Sequence, residues 1–422
     1  MINSIVLIIF IISVFYTFKY KFIQIKCFKK TFNTIFKKKS KKAFSTFMVS
    51  LANHIGTGNV VGITSAIIIG GAGSLFWMWI FAFFGSIYAI IENTIAQLYK
   101  RNINGEVRGG SPFYIKYGLN KPLIASLIAI FLVLSNSIFF QPIQVNTISE
   151  SLKISLNIPY LVSFFVLSLF FILFIFRGTK CIVKFCEIIV PIMSIGYILI
   201  GLFIIFINIK SFPNVLLLIL NDAFNIDSIL GGCLFVGFRK SLFSHEAGLG
   251  TGPTISVLSN VKNPIEQGFI SGFGVFFDTI IICSITGFMI LLNNVDIDVS
   301  MYSGCDLIIK VFEIIFGHIG IFFAVFFMIT FALATVVSQY YLGETNLLFL
   351  IENSRFKKIL LFVFQFIFIF GIFIGVFLSI DKIWLIIDVG MLLLGIINIY
   401  SLIKLNKKFD EILVNYLVDN KR

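Results

Sequence analysis

Apolar run follows apolar run along this chain, and that succession restricts its fold more than any other feature. The stretches 74–99, 122–149, 318–350 and 358–378 are long and nearly uncharged. Each exceeds the roughly 18 apolar residues that mark a membrane-spanning helix. Lipid offers no partner to a bare N–H or C=O, so the spans must satisfy their own backbone groups as helices. Hydrophobic residues fill 58% of the 422 positions, above the roughly half-apolar share of water-soluble domains. The class is therefore an all-α polytopic membrane protein.

Counting onward from a first helix over Ile2 to Phe18, spans are expected near 43–69, 74–99, 122–149, 158–176, 181–207, 228–258, 265–292, 318–350, 358–378 and 383–403. That makes about eleven. The first helix has no basic residue before it and no small-residue cleavage site after it, so it is expected to be retained rather than cleaved as a signal peptide. Lys19 to Lys42 then carries ten lysines. By the positive-inside rule that loop is cytoplasmic, which places the N-terminus outside and, after eleven spans, the C-terminus inside. Alternate later loops agree: Lys100, Arg101, Arg108, Lys116 and Lys121 share one side, as do Arg355, Lys357, Lys358 and the tail Lys404, Lys407 and Lys408. The acidic stretch with Asp296, Asp298, Asp306 and Glu313 falls on the other. Within it, 305–316 is apolar at helical spacing but too short to span, as expected of an amphipathic helix over the outer mouth.

The net charge of +13 is spent on short loops between spans. It is a topology signal, with no basic face carrying the stacking or base-reading residues that nucleic acid needs. Six cysteines are scattered without CxxC or paired spacing, so neither a disulfide framework nor a zinc site follows. No linker or soluble domain is visible, and residues 1–422 are expected to form one integral membrane domain.

Two spans are interrupted. The first reads Ala52-Asn53-His54-Ile55-Gly56-Thr57-Gly58-Asn59-Val60-Val61-Gly62. Glycine inside a helix costs about 1 kcal/mol each, and polar groups are disfavoured in hydrocarbon. One reading is a small-residue face for close helix packing; the other is a discontinuous helix whose bare amides meet a carboxylate and whose carbonyls meet a cation. The second interrupted span runs from Gly231 to Ser259 and breaks at Ser244, His245, Glu246, Gly248, Gly250, Gly252 and Pro253. Setting aside the first helix, ten spans divide as five and five (43–207 and 228–403), and each half opens with a break. Paired breaks in corresponding positions point to a secondary-transporter site. Five helices per half require the halves to enter from opposite sides, an inverted repeat.

The blocks GTGNVVGITSAIIIGGAGSLFWMWIFAFFG, TIAQLYK, GGSPFYI, IQVNTISESL, CEIIVPIM, LFSHEAGLG, GVFFDTIIICSITG, YYLGE and LSIDKIW, in this order and over nearly the whole chain, resemble the alanine/glycine:cation symporter family. The resemblance implies a LeuT-like architecture with one extra N-terminal helix. It implies import of small neutral amino acids coupled to sodium across a bacterial plasma membrane, with Na+ as the coupling ion and no cofactor. Alternatives are proton coupling and a non-transporting amino-acid sensor. No selectivity filter or ring of like charges suggests a channel, and no HExxH, GxSxG or GK[ST] motif suggests an enzyme.

Set on this pattern, the N–H groups around Thr57 and Gly58 are the expected receptors for the substrate carboxylate, and the Asn59 amide oxygen suits sodium. By the resemblance, carbonyls near Ala52 and Ile55 serve a second cation, with Thr335 either completing that site or bonded to its own helix. Phe243 closes over substrate and Ser244 touches cation. Gln144 faces either the substrate or another helix. Asp278, inside the 265–292 span with no nearby Lys or Arg, is a site residue by default: a cation ligand or a structural acceptor. Glu246 either supports the break or carries a proton, and Glu92 and Glu187 read as structural. Against the family's usual pattern stand His245 for Asn, Ser241 for Gly, Gln339 for Trp, and Gln141-Pro142 before Gln144. If Gln339 and Gln141 face substrate, the pocket is larger and more polar. His54 and His245 are either pH sensors or neutral packing residues.

Overall fold

The computed structural model describes residues 2–37, 44, 47–48, 51, 54–103, 105–175, 179–259, 261, 263–293, 302, 304–352 and 354–419, without the side chains of 174, 175, 179–183 and 187. The proposed cation ligand Ala52 and its neighbour Asn53 therefore lie outside the described residues, as does the side chain of Glu187.

Helix α1 (Ile2–Lys19) leads, followed by the short pieces α2 (Ile23–Lys26) and α3 (Phe28–Phe32). In the first interrupted span, residues 44, 47, 48, 51 and 54 are helical. Thr57–Asn59 then make one tight turn, and helix resumes as α4 (Val61–Gly70). Next come α5 (Ser74–Tyr99), a hairpin of β1 (Arg101–Ile103) and β2 (Glu106–Arg108), and α6 (Ser111–Gly118). α7 (Pro122–Leu134) passes through a wide turn at Ser135–Phe139 into α8 (Gln141–Leu156). α9 (Tyr160–Ile175) and α10 (Thr179–Ile207) close the first half.

Two connecting helices, α11 (Phe212–Phe224) and α12 (Ile226–Leu230), lead to the second half. It opens with the other broken helix, α13 (Cys233–His245) and α14 (Gly252–Ser256). α15 (Pro264–Val275) runs through a π turn at Phe276–Cys283 into α16 (Ser284–Leu292). α17 (Gly304–Phe316), α18 (His318–Leu350), α19 (Lys357–Phe377) and α20 (Ile380–Asp419) complete the chain.

Among the described residues eight helices are long and apolar enough to cross a membrane. The two broken helices and α9 bring the spans to the expected eleven. The two halves interleave: α5 packs along α15 and α13, while α8 packs along α18 and α19, α9 on α19 and α10 on α18. Each pairing joins one helix of each half. The architecture is LeuT-like, an extra helix ahead of an inverted five-plus-five repeat with a discontinuous helix opening each half.

Three expectations of extent are corrected. The last helix runs to Asp419 rather than ending near 403. Leu402, Leu405, Phe409, Leu413 and Tyr416 continue a buried stripe at helical spacing. Asp410 accepts from Lys19 Nζ at 2.9 Å and from Tyr20 Oη at 2.7 Å, which pins this extension to the start of the chain. The segment 101–118, read as a basic loop, forms the hairpin and α6; the hairpin turns at Gly105, whose φ of +84° suits a residue without Cβ. α11 falls where a plain connection was expected. The helix expected over 305–316 is present as α17, burying Leu307, Ile308, Val311 and Phe312 against α18, α4 and α8.

Candidate substrate and cation site

At the first break the chain leaves helical geometry at Gly56, whose backbone is extended (φ −136°, ψ −160°). A Cβ there would sit 2.5 Å from Thr335 Oγ1 and 3.2 Å from Gln144 Oε1. Glycine is thus what lets α18 and α8 meet the bare backbone. Thr335 Oγ1 donates toward the Ile55 carbonyl at 3.3 Å and the Phe331 carbonyl at 3.1 Å. Thr335 thus bonds its own helix and also reaches the carbonyl at the break. Gln144 Oε1 accepts from Thr57 N at 3.0 Å and Thr57 Oγ1 at 2.8 Å. One oxygen taking an amide and a hydroxyl at an opened helix end is the arrangement a carboxylate oxygen would adopt there.

Asn59 turns back on the break and outward to a second group. Its Oδ1 accepts from Gly56 N at 3.3 Å, and its Nδ2 donates to Asp278 Oδ1 at 2.5 Å. Its carbonyl accepts from Thr286 Oγ1 at 2.7 Å. Asp278 is wholly buried, and its Oδ2 accepts from Ser244 Oγ at 2.7 Å and Thr279 Oγ1 at 3.0 Å. Among the described residues no Lys, Arg or His forms an ion pair with it. In a π turn residues five apart fall on one face, which brings Cys283 Sγ to 3.3 Å from Ser244 Oγ. A buried carboxylate with three donors and no countercharge is energetically incomplete. A cation with an affinity for oxygen would complete it.

Phe243 forms the wall above. A Cβ on Gly58 would lie 3.2 Å from its ring. The ring meets Phe140 and Trp384 edge-on, with centroids 5.9 and 5.2 Å away. Gln339, four residues past Thr335 on α18, is buried, and neither amide atom has a hydrogen-bond partner among the described residues. Gln141 departs from the expectation of a pocket-facing residue. Its Nε2 donates to the Phe368 carbonyl at 3.2 Å, and the backbone of Gly371 approaches so closely that a Cβ would meet Gln141 Oε1 at 2.1 Å. It serves the α8–α19 contact, because a buried carboxamide facing a helix backbone bonds to it.

The second break is held by a separate network. Glu246 takes left-handed geometry (φ 49°, ψ 11°), ending α13. Glu92 Oε1 accepts from Gly248 N at 3.2 Å and its Oε2 from Asn398 Nδ2 at 2.9 Å; Asn398 Nδ2 also donates to the Gly248 carbonyl at 2.9 Å. Tyr114 Oη donates to Asn398 Oδ1, and Ser111 Oγ to the Gly250 carbonyl at 2.9 Å. Glu92 from α5 thus has the structural role expected of it. Glu92→Ala is expected to lower stability by roughly 2–4 kcal/mol, since two buried donors lose their acceptor, while Glu92→Gln loses less. Thermal unfolding in detergent measures this, and equal losses in the two variants would contradict it. His245 is buried against Phe81, with rings 5.8 Å apart and nearly parallel, and its Nδ1 accepts from Ala247 N at 3.0 Å. His54, buried near Gly252 and Gly274, likewise lies in packing.

The described candidates Ile55, Thr57, Gly58, Asn59, Gln144, Phe243, Ser244, Asp278 and Thr335 thus converge on the first break. Thr279, Cys283, Thr286, Trp384 and Asn398 were not foreseen. Thr279 adjoins Asp278 and Thr286 lies eight residues on, but the π turn that aligns this helix leaves no periodic mark in an apolar run.

Known proteins give a consistent picture. The model of the sodium:alanine symporter family matches residues 1–422. The "Probable sodium/glutamine symporter GlnT" of Bacillus subtilis is 34% identical, covering 97% of this chain and 87% of that protein. The "Sodium/alanine symporter AgcS" of Methanococcus maripaludis is 29% identical over 88% of this chain and 85% of its own length. Among solved structures, MhsT in complex with L-phenylalanine superposes with a TM-score of 0.62 at 18% identity, covering 85% of this chain and 88% of that one. That likeness is one of fold.

Proposed function

Since the chain belongs to the sodium:alanine symporter family, and so is a transporter and not an enzyme, we propose that it imports a small neutral amino acid together with sodium by alternating access. The observation that carries this reading is Asp278, whose carboxylate takes donors from the first break (Asn59) and from the second broken helix (Ser244) at once. A sodium ion held by Asp278, Asn59 and Ser244 binds most tightly when the two halves are together. Cation binding and closure around substrate then share one free energy.

The substrate carboxylate takes the Thr57 and Gly58 amides, with Gln144 Oε1 giving up its place on Thr57. Phe243 covers the substrate, and Gln339 supplies polar atoms toward the substrate's side chain. A second sodium lies by the Ile55 carbonyl and Thr335 Oγ1, with Ala52 contributing its carbonyl. The lysine-rich loop after α1 supports an N-terminus outside and a C-terminus in the cytoplasm of a bacterial cell. Proton coupling is the second reading, and the lack of a basic partner for the buried Asp278 among the described residues favours it over a sensor.

Uptake of labelled L-alanine, glycine and L-glutamine into proteoliposomes, under an inward sodium gradient, a proton gradient or neither, tests the proposal. Accumulation only with sodium is expected. Accumulation only with protons would move coupling to Asp278 as a proton carrier, and no uptake of any of the three by folded protein would overturn the assignment.

A further inference from the structure

Helices α2 and α3 form one short helical run just after the end of α1. Helical bonds carry through Cys27, from Cys27 N to the Ile23 carbonyl and from Thr31 N to the Cys27 carbonyl, both at 2.9 Å. Ile23 and Thr31 are buried on one side of the run, while the exposed Lys26 and Lys29 share another. Such a pattern suits a helix lying in the membrane interface. Among the described residues no carboxylate pairs with Lys26 or Lys29. Beneath the run, α2, α3, α5, α15 and the following π turn enclose a groove of about 410 Å³ with walls that include Phe28, Phe83 and Phe273. Lys29 lines it, and no Asp or Glu does. Gln24 lines it too: its Nε2 donates to Thr17 Oγ1 at 3.1 Å, at the end of α1, but its Oε1 is buried without a partner among the described residues. Along α5 the lining extends from Ile90 to Ala82, about 12 Å at 1.5 Å per residue. One leaflet of a bilayer has about 15 Å of hydrocarbon depth, half of a core about 30 Å thick.

We propose that this groove binds one anionic phospholipid, phosphatidylglycerol. An acyl chain lies along the apolar walls, Lys29 and Lys26 meet the phosphate, and a hydroxyl of the glycerol headgroup donates to Gln24 Oε1. Unpaired lysines beside a membrane attract acidic headgroups, a chain removes the groove's apolar surface from water, and a buried acceptor requires a donor. Only a lipid with a hydroxyl-bearing acidic headgroup meets all three demands. Phe276 and Ile280 line the groove from the π turn and flank the buried Asp278 in sequence. The chain would therefore back the turn that carries Asp278. The inference needs the membrane-embedded fold and not the transport reading above.

Native mass spectrometry of the full-length protein, released from detergent containing titrated lipid, tests the site. Phosphatidylglycerol is expected to be retained with about tenfold or greater preference over phosphatidylcholine of the same chains. Lys26→Gln/Lys29→Gln is expected to weaken its apparent Kd by about tenfold or more. Lys357→Gln/Lys358→Gln, at the start of α19, is expected to leave it unchanged. Ser86→Phe puts a ring into the groove that Ser86 lines and is expected to abolish retention, with Ser86→Leu replacing it should the phenylalanine variant fail to fold. Phosphatidylethanol, equally charged but without headgroup hydroxyls, is expected to bind several-fold more weakly, and glycerol phosphate, which has no chain, not to bind. Equal retention of phosphatidylcholine, an equal loss in the two lysine variants, or indifference to the filled groove overturns the site. Equal retention of phosphatidylethanol overturns the choice of phosphatidylglycerol. Binding of glycerol phosphate as tight as that of the lipid would show a free-phosphate site and overturn the lipid as occupant.

Discussion

Asp278→Asn is expected to raise the sodium concentration for half-maximal uptake by about 5- to 30-fold while the protein remains folded. Asparagine keeps the size of the side chain and an oxygen that can accept from Asn59 Nδ2, now 2.5 Å from Asp278 Oδ1. Ser244 and Thr279 can rotate their hydroxyls to suit an amide. What disappears is the buried negative charge. Bonds to a charged group exceed neutral ones by roughly 1–2 kcal/mol, and each 1.4 kcal/mol is about tenfold in affinity. Sodium activation curves in proteoliposomes measure the shift, with thermal unfolding as the control for folding. Asp278→Ala should differ in kind: three donors lose their acceptor, so stability falls along with transport. Unchanged sodium activation in the asparagine variant would leave Asp278 as a structural acceptor only.

Gly56→Ala is expected to abolish uptake and to lower stability by about 1–3 kcal/mol, the usual range for overpacking. The added carbon would stand 2.5 Å from Thr335 Oγ1, a separation that real contacts do not tolerate. The hydroxyl would have to leave the Ile55 carbonyl, or α18 would have to part from the break. A second substitution separates packing from chemistry. In Gly56→Ala/Thr335→Ala the offending oxygen is gone. The unfolding temperature should recover most of its loss, while sodium-driven uptake should not, because the hydroxyl assigned to the second cation has gone too. Recovery of both would remove Thr335 from cation binding. Recovery of neither would place the clash at Gln144 Oε1, the next nearest atom at 3.2 Å.

These two expectations meet at one place, the opened backbone from Ile55 to Asn59. The groups around it come from α8, α13, the π turn after α15, and α18, so the site exists only when both halves are assembled. The second break depends on the same assembly, through Glu92 of α5 and Asn398 of α20. Both breaks are stabilised by side chains from elsewhere in the chain, as helix interruptions within a membrane require.

Much of this was legible in the amino-acid order. Lipid admits few solutions, so run length alone established an all-helical membrane protein, and the alternation of lysine-rich loops matched the count of spans. Glycines and polar residues crowded into otherwise apolar helices marked the two breaks, and a carboxylate inside an apolar run marked Asp278. Each of these signals is local: it depends on what a residue costs in hydrocarbon, not on its neighbours in space. The last helix escaped in part, because its final turns are amphipathic rather than apolar and owe their extension to Lys19 and Tyr20 at the other end of the chain. Gln141 and Gln144 show the limit most plainly. Both are buried carboxamides on one helix, three residues apart, and nothing in their order tells that one bonds to α19 while the other meets the break. Only packing decided that, because a three-residue step turns a helix by nearly a full circle but not quite, and which neighbour lies across each sector is a property of the assembled bundle.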